Sequence, residues 1–147
     1  WTFGKKRCLN SMFFLLSFLF FWVTPVDNVY VIKVNVTGFS NNDGTAYVAL
    51  YNKSSDFPVY GKQLEGKVVS IKDKKCEVSF KNLKQGSYAI AVYHDENNNN
   101  KLDKNLFGAP TESYGFSNNI RPMFSAPTFD ECKFYLSSDK SVNIKVK

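Results

Sequence analysis

Beyond residue 28, apolar and polar positions alternate along much of the chain with the two-residue period of a half-buried β-strand. In Val29–Thr37, Tyr30, Ile32, Val34 and Val36 fall on one face, and Lys33, Asn35 and Thr37 on the other. Residues 45–52 repeat the pattern with Ala46, Val48 and Leu50 inward. Gly38 and the run Asn41-Asn42-Asp43-Gly44 make a turn between the two, so the spacing predicts a hairpin with a loop of several residues. Phe57-Pro58 and the stretch from Gly61 to Gly66 read as an irregular connection. A third strand is expected over 66–72 and a tight turn at Asp73-Lys74. The fourth strand lines up Cys76, Val78 and Phe80, and the fifth covers 87–94. Residues 132–136 and 142–146 supply two more, joined by a turn over 137–141.

About seven short strands, turn signals between them and no stretch of helical periodicity predict an all-β fold: an antiparallel Greek-key sandwich, immunoglobulin-like or transthyretin-like. Gly86-x-Tyr88 at the start of the fifth strand fits two readings equally: a tyrosine corner, whose phenol ties down nearby backbone, or an ordinary strand tyrosine. Residues 96–131 stand apart. The segment lacks strand or helix periodicity, yet it carries Phe107, Tyr114, Phe116, Phe124 and Phe129. Disordered segments are poor in aromatics, so one long ordered loop is expected.

The N-terminus has a different composition. Lys5, Lys6 and Arg7 precede an apolar run over 12–23, and Thr24-Pro25 breaks it. That is the layout of a secretory signal peptide over residues 1–26, with an uncleaved N-terminal membrane anchor as the alternative. A spanning helix needs roughly 20 apolar residues. The domain proper is then 27–147, acting as a secreted, periplasmic or cell-envelope protein, with membrane contact only through the N-terminal segment if it is uncleaved. Without those three cations the balance falls from 19 basic and 13 acidic residues to 16 and 13, a formal +3 instead of +6. The remaining lysines are scattered, so no nucleic-acid footprint is present. Cys76 and Cys132 both sit on apolar strand faces, where an exported protein favours a disulfide between them. Asn35-Val36-Thr37 and Asn52-Lys53-Ser54 fit the glycosylation acceptor pattern.

The densest candidate chemistry lies where the fifth strand ends. Asp95, Asn97, Asn99, the carbonyl of Lys101 and Asp103 occupy alternate positions, as the oxygen ligands of a calcium loop do. Asn100 takes the sharp-turn position that is usually Gly, and Asn tolerates the left-handed conformation. Leu106 stands where a bidentate Glu closes an EF-hand, so the ligand set needs completing from outside, with Glu112 the candidate. A water-solvated Asn-rich turn is the alternative. His94 is the only histidine, which argues against a zinc site of three or four ligands and against any triad needing a second histidine. A hydrolase would have to use His94 with Asp95 and Glu112.

Further motifs carry a resemblance. Tyr93-His94-Asp95-Glu96-Asn97, Lys101-Leu102-Asp103, Gly108-x-Pro110-x-Glu112-x-Tyr114-Gly115-Phe116-Ser117-Asn118-Asn119 and Pro127-x-Phe129-Asp130-Glu131 resemble the signature of an uncharacterised exported family, domain of unknown function 2141. Gly44-x-x-x-Val48-Ala49-Leu50-Tyr51-Asn52 and Phe57-Pro58 are similar to its N-terminal half. Ser125 and Cys132 depart from the Gly and Ala expected there. The resemblance implies a bacterial envelope or secreted β-sandwich and no settled activity. The functional expectation is a non-enzymatic module with an unidentified extracellular or envelope partner. Calcium would pin its long loop, which presents Tyr114, Phe116 and Asn118. The alternatives are a carbohydrate- or protein-binding adhesion module without metal, in which Tyr114, Phe116 or Phe124 stacks on the ligand, and the hydrolase.

Overall fold

The structure, a computed structural model, describes residues 28–147 except Pro122 and Phe124. The expected export segment and Phe124 therefore lie outside the described residues. Two sheets pack face to face. The first has β1 (Val29–Thr37) at its centre, between β4 (Lys75–Lys84) and β8 (Lys140–Lys145). The second runs β3 (Glu65–Ser70), β2 (Thr45–Tyr51), β5 (Gly86–Asp95), β6 (Tyr114–Phe116), and β7 (Phe134–Leu136) pairs the start of β5. The expected two-sheet sandwich is present, with eight strands among the described residues. One pairing departs from the antiparallel expectation: β8 runs parallel to β1, with Val34 beside Val142 and Val36 beside Ile144.

Strand alternation builds the core directly. Ile32, Val34 and Val36 of β1 meet Ala46, Val48 and Leu50 of β2 and Tyr88, Ile90 and Val92 of β5 between the sheets. Phe80 is fully buried among them. A second, smaller core lies on the outer face of the five-stranded sheet, where Ala49, Tyr51, Phe57, Phe116, Phe129 and Cys132 pack together.

Several sequence expectations change. The first two strands do not form a hairpin: β1 pairs β4 and β8, while β2 pairs β3 and β5. Alternation specifies which face a residue takes, not which strand lies beside it. Asp73 and Lys74 do make a tight turn, both with positive φ (51° and 56°), but it carries the chain from one sheet to the other. The Asn42 side chain accepts the Lys74 amide there at 2.8 Å. At the next crossing, the Tyr88 hydroxyl donates to the Lys84 carbonyl at 2.8 Å, which is the tyrosine-corner geometry. The described residues of 96–131 are not one plain loop. They contain β6, a 3-10 turn (Ser117–Asn119) and a helical turn, α1 (Phe129–Cys132).

The cysteines also depart from expectation. Cys132 ends α1 instead of opening a strand, because Thr128 and Glu131 cap that turn reciprocally. Cys76 lies on β4 beside the main core, and Cys132 lies in the second core across the five-stranded sheet. The sheet stands between them, and both are free thiols, so the expected disulfide is not made. Burial raises the Cys76 thiol to about 11, and burial with the Glu131 charge raises Cys132 to about 12.

Candidate functional site

The outer face of the five-stranded sheet is not polar. Since Ala46, Val48 and Leu50 point inward, Tyr47, Ala49 and Tyr51 must point outward. On β5 the outward positions are Ala89, Ala91 and Tyr93 by the same alternation. The register then sets Tyr47 opposite Tyr93 and Tyr93 opposite Tyr114, a row of three tyrosines across three strands. The next row is Ala49, Ala91 and Phe116. Large residues beside small ones leave a depression. Tyr47 and Tyr93 lie 5.1 Å apart between ring centroids, and Tyr60, from the connection before β3, lies 5.4 Å from Tyr47. The result is a cleft of about 660 Å³, within the size range of small-ligand sites. Gly66 makes room for it: a Cβ there would come within 2.3 Å of the Tyr47 hydroxyl.

Burial raises the pKa of three phenols here. Burial, then Tyr47, pushes Tyr51 up to about 12. Burial, then Tyr60, raises Tyr47. Tyr93 is raised by burial first and then by Tyr60 and Asp95. The Tyr51 hydroxyl is committed to the Val59 carbonyl at 3.2 Å, which ties the 52–64 connection to the sheet.

The acidic-asparagine loop supplies the cleft's rim through Asn100, Lys101, Leu102, Lys104 and Phe107. It is wound by its own side chains. Asn98 and Asn100 take the left-handed conformation (φ 58° and 61°). The carboxylate of Asp95, only 2% exposed, accepts the Asn99 and Asn100 amides at 3.0 and 2.7 Å. Asn97 Oδ1 accepts the Asn99 amide and Asn99 Oδ1 accepts the Lys101 amide. Both side-chain amides then donate to the Asp103 carboxylate, at 2.7 Å from Asn97 and 2.9 Å from Asn99. Glu112, 8% exposed, closes the loop. One of its oxygens accepts the Glu96 amide and the other the Asp103 amide, each at 2.9 Å. It therefore clasps the two ends of the loop through backbone, one oxygen to each. Among the described residues, no three His, Cys, Asp or Glu side chains group as a metal site.

His94 is fully buried and packs edge-on to Phe39. Its Nε2 lies 2.7 Å from the Asp43 carbonyl, which can only accept, so Nε2 carries a proton. The Ser40 hydroxyl donates to Glu96 Oε1 at 2.7 Å, and His94 Nδ1 is 3.4 Å from the same oxygen. Those bonds, chiefly from Ser40, hold the Glu96 carboxyl below its usual range. The network fastens the β1–β2 connection to the end of β5. Gly44 belongs to the same junction: its φ is +65° and a Cβ would come within 1.9 Å of the Asp95 carbonyl oxygen. His94, Asp95 and Glu112 thus have separate structural partners, and none lines the cleft.

The remaining expected residues divide. Tyr114 and Phe116 line the cleft, Tyr114 half-buried in its wall and Phe116 buried against Phe57. Asn118 does not reach it. Its side-chain amide donates to the Glu131 and Lys133 carbonyls and fastens the 3-10 turn to α1. Tyr47, Tyr60 and Tyr93 escaped the sequence reading. The signal for two of them was present: large aromatics at the outward phase of strands whose inward phase was already apolar.

The sequence profile of a family described as uncharacterised proteins conserved in bacteria matches residues 34–145, from within β1 to the end of β8. Among curated proteins and among solved structures, none matches the chain. The profile's span takes in both sheets, the clasped loop and the cleft, and the chain belongs to this bacterial family, domain of unknown function 2141.

Proposed function

We propose that the domain is a non-enzymatic binding module, acting outside the bacterial cytoplasm, that takes its ligand in the tyrosine-walled cleft. The observation that carries the reading is the row Tyr47, Tyr93 and Tyr114 over a floor of Ala49 and Ala91. Aromatic surface left open to water in a formed concavity has the usual character of a recognition site. Export rests on the basic and apolar segments ahead of the domain. The test is a screen of oligosaccharides and short peptides against the chain, followed by Tyr60→Ala and Tyr93→Ala. Hits that lose binding in both variants support the reading. Hits indifferent to both refute it.

A second reading concerns the loop. Calcium bound by Asp95, Asn97, Asn99, the Lys101 carbonyl and Asp103 is favoured by one observation: the Asn97 and Asn99 side chains both turn to the Asp103 carboxylate. A cation there would replace those amide donors. Glu112 would complete the set: like Asp95 it accepts one backbone amide on each oxygen, and each oxygen keeps a second lone pair. Two carboxylates among the loop ligands make a weak site, suited to extracellular calcium at about 10⁻⁴–10⁻³ M. Calcium should raise the melting temperature, and Asp95→Ala with Asp103→Ala should abolish the rise. Identical melting of the chain in calcium and in chelator removes this reading.

A further inference from the structure

The cleft's lining has a one-sided charge. No Asp or Glu lines it, while Lys101 and Lys104 do. Among the described residues neither lysine has a carboxylate within ion-pair distance. The carboxylates of the adjoining loop do not line the cleft: Asp95 and Glu112 accept backbone amides, and Asp103 accepts the side-chain amides of Asn97 and Asn99. Two cations therefore stand at the rim of an aromatic cleft with no ion-pair partner among the described residues. The stacking surfaces are also available: Tyr60 is well exposed and Phe107 almost fully so.

Resting on the binding-module reading above, we propose that the cleft's ligand is an acidic oligosaccharide, a chain of pyranose rings bearing carboxylates. Tyrosine faces cover the apolar C–H side of a sugar ring, and phenol hydroxyls hydrogen-bond its polar edge. Lys101 and Lys104 bind the carboxylates as exposed point charges. A wholly apolar occupant, such as an acyl chain, would waste the hydroxyls and leave both ammonium groups unmatched.

The test is calorimetric titration of the full chain in calcium-free buffer. The probes are tetragalacturonate, a neutral galactose tetrasaccharide, and vesicles of phosphatidylglycerol with phosphatidylcholine. Tetragalacturonate is expected to bind at least about tenfold more tightly than the neutral chain, a difference of 1.4 kcal/mol. Added salt should weaken it, because the lysines are exposed. Lys101→Ala with Lys104→Ala should remove that preference, and Tyr60→Ala should weaken both sugars. Equal binding of the two sugars, or an acidic preference that survives the lysine substitutions, overturns the charge assignment. In that case the cleft reading still stands if Tyr60→Ala weakens binding, and it falls too if Tyr60→Ala is silent. Binding to vesicles in place of either sugar overturns the saccharide inference and assigns the surface to an anionic membrane. Failure of every probe to bind also overturns it.

Discussion

Removing the Glu112 carboxylate should open the loop that rims the cleft. In Glu112→Ala, the amides of Glu96 and Asp103 lose acceptors that now lie at 2.9 Å. Both bonds are charge-assisted, and the carboxylate is only 8% exposed. Hydrogen bonds to charged groups are worth about 1.5–3 kcal/mol each. Part of the loss returns if the loop opens and water reaches the two amides, so a total near the lower end, about 3 kcal/mol, is expected. For a domain of this size that lowers the melting temperature by roughly 10 °C. Glu112→Gln separates hydrogen bonding from packing. It preserves the shape and one acceptor oxygen but turns an NH₂ group toward a backbone donor, so it should cost at least about 1.5 kcal/mol. The assays are urea denaturation and amide hydrogen exchange. In both variants the Glu96 and Asp103 amides should lose protection while amides of β1 keep theirs. Stability unchanged within about 0.5 kcal/mol, with both amides still protected, would refute the clasp.

Three further outcomes follow from the same geometry. Gly44→Ala meets the Asp95 carbonyl at 1.9 Å and also forces a non-glycine residue to φ +65°; because the obstacle is backbone, chemical denaturation should show a loss above about 3 kcal/mol or no folded protein. Gly66→Ala meets side chains and not backbone, the Tyr47 hydroxyl at 2.3 Å and Gln63 Nε2 at 3.3 Å; it should cost about 1–2 kcal/mol in urea, yet shift the Tyr47 ring and weaken cleft ligands out of proportion. Tyr51 has its folded pKa raised from 10.0 to about 12, so the stability it contributes is full below pH 10 and is lost as pH rises to 12. A plot of melting temperature against pH should fall over that window and fall less steeply in Tyr51→Phe, since Tyr47 and Tyr93 are raised as well. An unchanged slope in Tyr51→Phe would contradict this.

The sequence made the sandwich legible because alternation is strong where one sheet face is buried. Ile32, Val34, Val36 and Ala46, Val48, Leu50 fall in the main core as read. Pairing was not legible, since a connection as short as 38–44 serves a hairpin and a crossing between sheets equally well. β6 was missed because three residues with Gly115 at the centre give no period to detect. The helical turn was missed although Thr128-Pro-preceded capping chemistry, with Glu131 three residues on, stood in the sequence. Glu112 was joined to the loop in the sequence reading, and it does meet the loop, as an acceptor for the amides at its two ends. The cleft itself depends on register, which sets Tyr47, Tyr93 and Tyr114 in line from three strands far apart in sequence.

The measurement that bears most directly on the cleft is amide chemical-shift mapping of the chain during titration with tetragalacturonate. The account predicts the largest shifts at Tyr47, Ala49, Ala91, Tyr93, Lys104 and Tyr114, and their disappearance in Tyr60→Ala. Shifts concentrated instead on Lys33, Asn35 and Glu77, on the sheet formed by β4, β1 and β8, would contradict it.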